Sequence, residues 1–537
     1  MIRTIFPVTV AVCLVISGCA APLSAQNSSV RQVAYLKASN PAMYAHFGEG
    51  GALPGHTGNT VSISADGNMI AIGAPHEASA ATGINGNQKD DSASNAGAVY
   101  VYARNGGNWV QQAYVKASNA GSGDYFGSSV DLSADGNTLA VAAHWEASDA
   151  RGINGDQTDN SIPQAGAVYI FTRSGGRWTQ QAYIKSSNTG EKLAGEGEAL
   201  VGGGDGDQFG FSMALSADGN TLAVGAVGED SNATGIDGNQ SDNSAVGAGA
   251  VYVFRRTLSA WAQQAYVKPQ TPAMFANGDL FGFSVGLSAD GNTLGVGVYD
   301  EGGSSRSVNA MVDNMRGGSG AAYVFTRSGA TWAQQAYIKT AISEGGDSWG
   351  VSLSLSDDGN TLALGSVDED CKARGVNPAG CDNDQRDDIS TGAVAVFRRT
   401  GTMWAQQALF KASNTGIQDW FGIKTALSGD GNTLVVTASN EDSAAQGING
   451  KQDDDSANEA GAVYLFTQTG GAWAQQAYIK SDVNEAFDEL GNSVSISRDG
   501  RLFVVGARGE DGGKGGVNQD AKDNSVDEAG AAFVFTR

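Results

Sequence analysis

Acidic side chains recur along this chain at positions that could assemble a cation site. A Glu stands just beyond an apolar run in seven places, and an Asp stands two residues before an aromatic-Gly or Leu-Gly pair in six. The glutamates are Glu77, Glu146, Glu229, Glu301, Glu369, Glu441 and Glu510. The aspartates are Asp124, Asp207, Asp279, Asp347, Asp419 and Asp488. Hard cations such as Ca²⁺ bind about six to eight oxygen ligands, so these acids are candidate calcium ligands.

A structural role for the same acids is the stronger interpretation. Acids in loops rich in Gly and Asn commonly accept backbone hydrogen bonds and solvate turns. A residue that recurs in every copy of a repeat is expected wherever it performs the same structural task in each copy. We therefore expect no required cofactor, with calcium as the alternative.

Histidine chemistry would be confined to the start of the chain. The four histidines are His46, His56, His76 and His144. His76 adjoins Glu77 and His144 lies two residues before Glu146, so each could pair with its neighbouring carboxylate for acid/base catalysis. A lone polar residue on a loop is commoner than a catalytic one. The sequence also has no G-x-S-x-G, H-E-x-x-H or phosphate-loop motif, so we expect no catalytic residue.

The first residues predict export. Residues 1–18 carry one positive charge and then an apolar run too short to span a bilayer, which is typical of a signal peptide. Ile16 to Cys19 resembles the lipobox of bacterial lipoproteins, in which Cys19 becomes the lipidated first residue of the mature protein. We expect a tether over residues 19–29 and a lipid anchor in the outer membrane. The alternative is ordinary cleavage near Ala25 and release into the periplasm or medium.

Two of the four cysteines remain for the folded part. Cys13 leaves with the signal and Cys19 would be lipidated, which leaves Cys371 and Cys381. Export exposes this pair to an oxidising compartment, and the glycines and proline between them let the chain turn back. A disulfide between Cys371 and Cys381 is therefore predicted.

Net charge restricts the partners. The chain holds 33 Lys and Arg against 57 Asp and Glu, a formal net charge of −24. Nucleic acids and anionic lipid headgroups reward clusters of Lys and Arg, so this composition argues against both. We expect a monomer that binds a protein, a glycan or a cationic ligand and that touches the membrane only through its lipid.

The fold follows from an internal repeat of about 70 residues. An aromatic or Leu before Gly, an Asp-Gly turn and a GAVYVF-like run each occur seven times in the same order. In the third copy the apolar runs predict strands at residues 209–215, 221–226, 250–255 and 261–268. Four antiparallel strands in each of seven repeats predict an all-β, seven-bladed β-propeller over residues 30–537.

The fourth-strand motif indicates how the ring closes. Only six Trp-x-Gln-Gln segments lie inside the array, and the last repeat stops without one. Residues 30–37 align with residues 109–116, so the N-terminal strand is predicted to complete the last blade. Each fourth strand ends in Lys, which we interpret as protection of an exposed sheet edge against aggregation.

The order of these motifs resembles the FG-GAP repeats of the integrin α-subunit N-terminal propeller. The resemblance covers almost all of residues 30–537 and implies the propeller fold. Gly73-Ala74-Pro75 completes the Gly-Ala-Pro element in the first copy. Some blades of that family carry a DxDxDG calcium loop between the first two strands, whereas this chain has SADGN-like turns there. The resemblance therefore implies no calcium in that turn.

The loops from strand two to strand three and the links between blades should emerge on one face of the propeller, which we call the loop face. The predicted function is a binding or interaction scaffold anchored in the cell envelope, which uses this acidic loop face. The alternative is a hydrolase or lyase with its site at the central channel mouth. An enzyme should show converging polar groups unique to one or two blades at the mouth, whereas a scaffold should show a broad face of nearly sevenfold chemistry. An assembly scaffold in the outer membrane would need exposed strand edges or apolar loop tips.

Overall fold

The computed structural model describes residues 30–50, 58–190, 206–271, 278–381 and 389–537. The predicted signal peptide (residues 1–18), the tether (residues 19–29), Cys19 and His56 lie outside these residues. Within them the chain folds into seven antiparallel sheets, and each sheet is one blade of a propeller. No helix in the described part of the chain is long and apolar enough to cross a membrane.

Each blade contains four main strands, and blades one to seven are numbered in chain order from Val61. In blades five and seven a two-residue strand, Gly375–Val376 or Gly516–Val517, adds a fifth strand at the outer edge of the sheet. The first strands are Val61–Ile63, Ser129–Leu132, Phe209–Leu215, Phe281–Leu287, Ser352–Leu355, Thr425–Leu427 and Leu490–Ile496. The second strands are Met69–Ala74, Thr138–Ala143, Thr221–Ala226, Thr293–Val298, Thr361–Ser366, Thr433–Ala438 and Leu502–Ala507. The third strands are Ala98–Asn105, Ala167–Ser174, Ala250–Thr257, Ala321–Ser328, Ala393–Thr400, Ala462–Thr469 and Ala531–Thr536. The fourth strands are Asn108–Val115, Arg177–Ile184, Ala260–Val267, Thr331–Ile338, Met403–Lys411, Ala472–Ile479 and Arg31–Lys37.

The first strands form the inner ring of the propeller. Each one packs against the first strand of the next blade, and the seventh packs against the first. The prediction of seven four-stranded blades is confirmed. In the third blade the predicted bounds of the first two strands agree with the structure.

The N-terminal strand closes the ring. Arg31–Lys37 pairs antiparallel with Ala531–Thr536, with Arg31 opposite Thr536 and Leu36 opposite Ala532. This segment occupies the fourth position of the seventh blade, as the missing Trp motif predicts.

The Ser-x-Asp-Gly-Asn motif builds the turn between the first two strands. In blade three the Ser216 hydroxyl donates to the Asp218 carboxylate, which also accepts the backbone N–H of Asn220. Thr221 N–H donates back to the Ser216 oxygen at 2.9 Å, and Gly219 has a φ of 67° that other residues adopt with strain. The motif is therefore a self-contained hairpin turn.

The apolar core lies between neighbouring blades. One cluster joins Val168 and Ile184 of blade two to Phe209, Leu222 and Tyr252 of blade three, and all five side chains are fully buried. Burial of apolar surface in such clusters contributes about 25 cal/mol for each Å² to the stability of the fold, and this drives the blades together.

The loop between the second and third strands covers the outer edge of each blade. Ile84 pairs with Val115 of the fourth strand, and equivalent bridges form in other blades. Asn85 then exchanges backbone and side-chain hydrogen bonds with Tyr114 at 2.7 and 3.0 Å. The loop thus satisfies backbone groups that an open edge would expose.

Candidate functional site

The lysine that ends each fourth strand or directly follows it is buried against the recurring glutamate. Their side chains are at most 6% exposed. Nζ lies 2.6 to 3.1 Å from a glutamate oxygen in six of the pairs. The pairs are Lys37–Glu510, Lys116–Glu77, Lys185–Glu146, Lys268–Glu229, Lys339–Glu301, Lys411–Glu369 and Lys480–Glu441. The interpretation of these lysines as exposed edge protection is wrong, because a buried carboxylate holds each one inside the blade.

Both oxygens of the glutamate are saturated by donors. In blade one, Glu77 Oε1 accepts hydrogen bonds from the Tyr114 hydroxyl at 2.8 Å and from Asn40 Nδ2 at 3.1 Å. Glu77 Oε2 accepts from Lys116 at 2.8 Å and from Ser79 N–H at 3.1 Å. Buried charges are tolerated when they are paired and fully hydrogen-bonded, so this arrangement supports the structural interpretation of the glutamates.

The recurring aspartates lie on the links that lead into each blade. Asp124 Oδ2 accepts the N–H of Gly121 at 2.7 Å, and Asp347, Asp419 and Asp488 accept equivalent backbone bonds. Burial, with a contribution from nearby glutamates, raises the pKa of Asp347 and Asp488 to about 8. The pKa values of Asp124, Asp279 and Asp419 rise to about 7 for the same reasons, and that of Asp207 is also raised.

Calcium binding by the thirteen recurring acids stays a prediction. In the described ranges, two groups bring three candidate metal-ligand atoms within 4.8 Å of one another. One is Glu369 with Cys371 and Cys381, but these cysteines are joined in a disulfide. The other is His46 with Glu49 and His76, which are not among the predicted calcium ligands.

The blades differ most where the first strands begin, around the mouth of the central channel on the loop face. Three positions of each repeat lie there. The residues before the aromatic-Gly pair, all with positive φ, are His46, Tyr125, Gln208, Leu280, Ser348, Trp420 and Glu489. The residues after the Gly are Glu49, Ser128, Phe211, Phe283, Val351, Ile423 and Asn492. The first residues beyond the second strands are Pro75, His144, Val227, Tyr299, Val367, Ser439 and Arg508.

One side of the mouth is apolar. Residues of blades three to six at these positions form one cluster, in which Phe211 packs on Phe283 and Phe283 stacks on Tyr299. Val351 and Ile423 complete the wall. Apolar side chains of this density around a concave opening are typical of ligand sites.

The other side of the mouth is polar and belongs to blades seven, one and two. Glu49 is almost fully buried and lies 3.1 Å from His46 and 3.1 Å from His76. Arg508 reaches Glu49 at 3.6 Å and Glu489 at 2.5 Å. Burial alone would raise the pKa of Glu49, but the contacts with His46 and His76 hold it well below its ordinary value.

The two histidines considered for acid/base chemistry contact groups outside the recurring glutamates. His76 contacts Glu49 through Nε2 and Asn95 through Nδ1. The His144 ring packs against Tyr125, Trp145 and Phe211, while Tyr183 and Lys185 bind the two oxygens of Glu146.

The channel below the mouth contains a cavity of about 250 Å³ between the first strands. Its ionisable lining residues are Asp131 and Lys424. Burial lowers the pKa of Lys424 to about 8 and raises the pKa of Asp131 to about 6. Lys424 replaces a serine that in other blades donates to the next blade, as Ser352 does to the Gly422 carbonyl at 2.7 Å.

Sequence reasoning missed Glu49, Arg508, Asp131 and Lys424. Each departs from the residues at its aligned position in the other repeats, and that departure was the available signal. None of the four belongs to the recurring set of acids, so the repeat pattern alone does not identify them.

Residues 109–171 and 473–535 match the family model of the FG-GAP repeat. Each match runs from a fourth strand to the third strand of the following blade. The comparison with curated proteins gave no match.

Removal of one buried carboxylate tests the role of the glutamates. Glu229→Gln should lower the free energy of unfolding by about 3–5 kcal/mol, because the charge of Lys268 is left buried without its partner. Urea denaturation measures this change. Asp149→Asn is the matched control, because its pair with Arg151 is exposed and worth about 0–1 kcal/mol.

The double variant Glu229→Gln/Lys268→Met separates the ion pair from the fold. It should regain most of the lost stability, because no charge is left buried alone. A single variant as stable as the wild type would contradict the structural role.

The buried aspartates predict pH-dependent stability. Their folded pKa values of about 7 to 8 exceed the value of about 3.9 in unfolded chains. The protonated aspartates therefore contribute fully to the free energy of unfolding below about pH 4, and this contribution is lost as the pH rises through about 8. The melting temperature should fall between pH 5 and about 9, and Asp347→Asn should reduce that fall. The exposed Asp159→Asn should leave the profile unchanged, and an equal effect of both variants would refute the assignment.

Proposed function

We propose that this FG-GAP β-propeller is an exported binding scaffold, anchored in the cell envelope through Cys19, that holds a partner on its loop face. The propeller fold is compatible with such a role. The recurring Glu, Lys and Tyr residues serve the interior of the blades. Ligand specificity would therefore depend on the loops and on the mouth of the channel.

The observation that carries this proposal is the distribution of exposed apolar side chains. Six large ones that are more than half exposed stand on loops of the loop face: Met43, Tyr44, Met311, Met315, Ile417 and Phe487. Exposed apolar side chains at loop tips mark surfaces that become buried on binding. A protein partner suits them better than a glycan or a small cation, because burial of aliphatic and aromatic groups dominates protein interfaces.

Acidic groups border these apolar tips. Glu528 is half exposed beside His46, and Asp453 and Asp454 lie on the same face in blade six. A face of negative charge raises the encounter rate with a basic partner and repels nucleic acid and anionic lipid. The favoured partner is therefore a protein with a basic surface around an apolar patch.

The second candidate is a hydrolase or lyase at the channel mouth. The specific observation in its favour is the polar wall formed by His46, Glu49, His76 and Arg508, which no other blades repeat. Converging polar groups of this kind beside an apolar wall are typical of a small-molecule site.

Substitution of loop tips tests the scaffold proposal. The double variant Ile417→Ser/Phe487→Ser should capture its partner from envelope extracts at least about tenfold less well than the wild type, because the anchors of a protein interface carry most of its binding energy. Chemical cross-linking followed by quantitative mass spectrometry measures the capture. Leu258→Ser is the control, since Leu258 is 97% exposed in a hairpin on the opposite face. Equal loss in both variants, or no loss in either, would contradict the proposal.

Substrate assays separate the second candidate from the first. If the protein is a scaffold, the wild type and the Glu49→Gln variant should show the same background rate of hydrolysis with ester, glycoside and polysaccharide substrates. Turnover by the wild type that disappears in Glu49→Gln would replace the scaffold with an enzyme.

A further inference from the structure

The cluster of His46, Glu49 and His76 brings three ligand atoms to one point. His46 Nδ1 and His76 Nε2 both lie 3.1 Å from the same oxygen, Glu49 Oε2. Ligands that surround a tetrahedral zinc ion at about 2.0–2.1 Å are separated by about 3.3 Å. Both nitrogen-to-oxygen separations are close to this value, and the two nitrogens lie within 4.8 Å of each other, so the three atoms could share one small cation.

In each ring one nitrogen faces Glu49 and the other, outer nitrogen contacts a different residue that orients the ring. His46 Nε2 lies 2.9 Å from Glu528, a carboxylate that accepts its proton. His76 Nδ1 lies 3.1 Å from Asn95 Oδ1, and Asn95 donates through Nδ2 to the Tyr125 hydroxyl. When a ring is neutral and carries its proton on the outer nitrogen, its inner nitrogen directs a lone pair toward the Glu49 carboxylate. Acceptors behind metal-binding histidines are the usual way of orienting such ligands.

With both inner nitrogens unprotonated, three acceptor atoms would meet without a hydrogen between them, an arrangement that positive charge stabilises. Either both rings take up a second proton, or a single cation lies among the three atoms. The groups in direct contact include three carboxylates, those of Glu49, Glu489 and Glu528, and one guanidinium, that of Arg508. With neutral rings this set carries two excess negative charges, which one divalent ion would neutralise.

We propose that His46, Glu49 and His76 bind a divalent transition-metal ion of the zinc type at the channel mouth. Two imidazoles and one carboxylate favour Zn²⁺ over Ca²⁺ or Mg²⁺, which prefer oxygen ligands alone. Three protein ligands leave a fourth position for water or a donor of the bound partner. Arg508 lies 3.6 Å from Glu49 Oε1 and leaves the Oε2 oxygen to the metal ion. Its positive charge repels the ion and so weakens the site.

The backbone supports this geometry. His46 has a φ of 50°, and Glu49 N–H donates to the His46 carbonyl at 3.0 Å, so the turn presents both side chains together. His76 follows directly after Pro75 at the end of a fully buried second strand. The three ligands are thus positioned by the link that leads into blade one and by the end of its second strand.

Zinc binding by the purified full-length protein tests this proposal independently of any partner. After metal removal, isothermal titration with ZnCl₂ should show one tight site, and CoCl₂ should give the visible absorption of tetrahedral cobalt. His46→Gln, Glu49→Ser and His76→Asn each introduce a residue that another blade has at the same position, so the fold should accept them. Each should abolish the tight site, whereas His144→Val should retain it.

Two neighbours sharpen the test. Glu528→Gln should weaken zinc binding by about 10- to 100-fold, because it supports a ligand from behind. Arg508→Ser should strengthen binding, because it removes the opposing charge. The proposal is overturned if the wild type shows no site that the three ligand variants lack. It is also overturned if nuclear magnetic resonance shows both rings doubly protonated at neutral pH in the presence of ZnCl₂.

Discussion

One buried ion pair, repeated in seven blades, holds the outer part of this propeller together. In blade three, Glu229 receives Lys268 and Tyr266 from the fourth strand and Asn188 from the link that precedes the blade. The carboxylate therefore joins the loop, the strand and the link to the previous blade. Because the pair is out of water, either charge alone would be costly, and the contact specifies one arrangement of these three segments.

Sequence patterns were sufficient for the fold because turns and strands are local. The Ser216 to Thr221 turn closes on itself, and the alternation of apolar runs fixes which segments pair. The Glu–Lys contact was not predicted, although both residues recur in every copy. Interpreted separately, the lysines looked like surface charges and the glutamates like loop acids. In blades one to six the pairing spans 38 to 42 residues and depends on how far the loop folds back, which periodicity does not encode.

The mouth was less predictable for the opposite reason. Glu49 and Arg508 contact each other across the junction of the first and last blades, 459 positions apart in the chain. Residues that occur in a single blade do not contribute to the repeat pattern, so that pattern does not mark them as important. The structure separates two kinds of information in this chain: residues shared by all copies build the blades, and residues that break the pattern line the opening.

The strand that closes the ring precedes every other strand of the propeller in the chain, while its partner, Ala531–Thr536, follows them all. Six blades can form as the chain emerges, because their strands are close in sequence. The seventh must wait for residues 531–536, so its fourth strand stays without its partner until they have been synthesised. Until then the circle is open, and a chain cut short before residue 531 has no means of closing it.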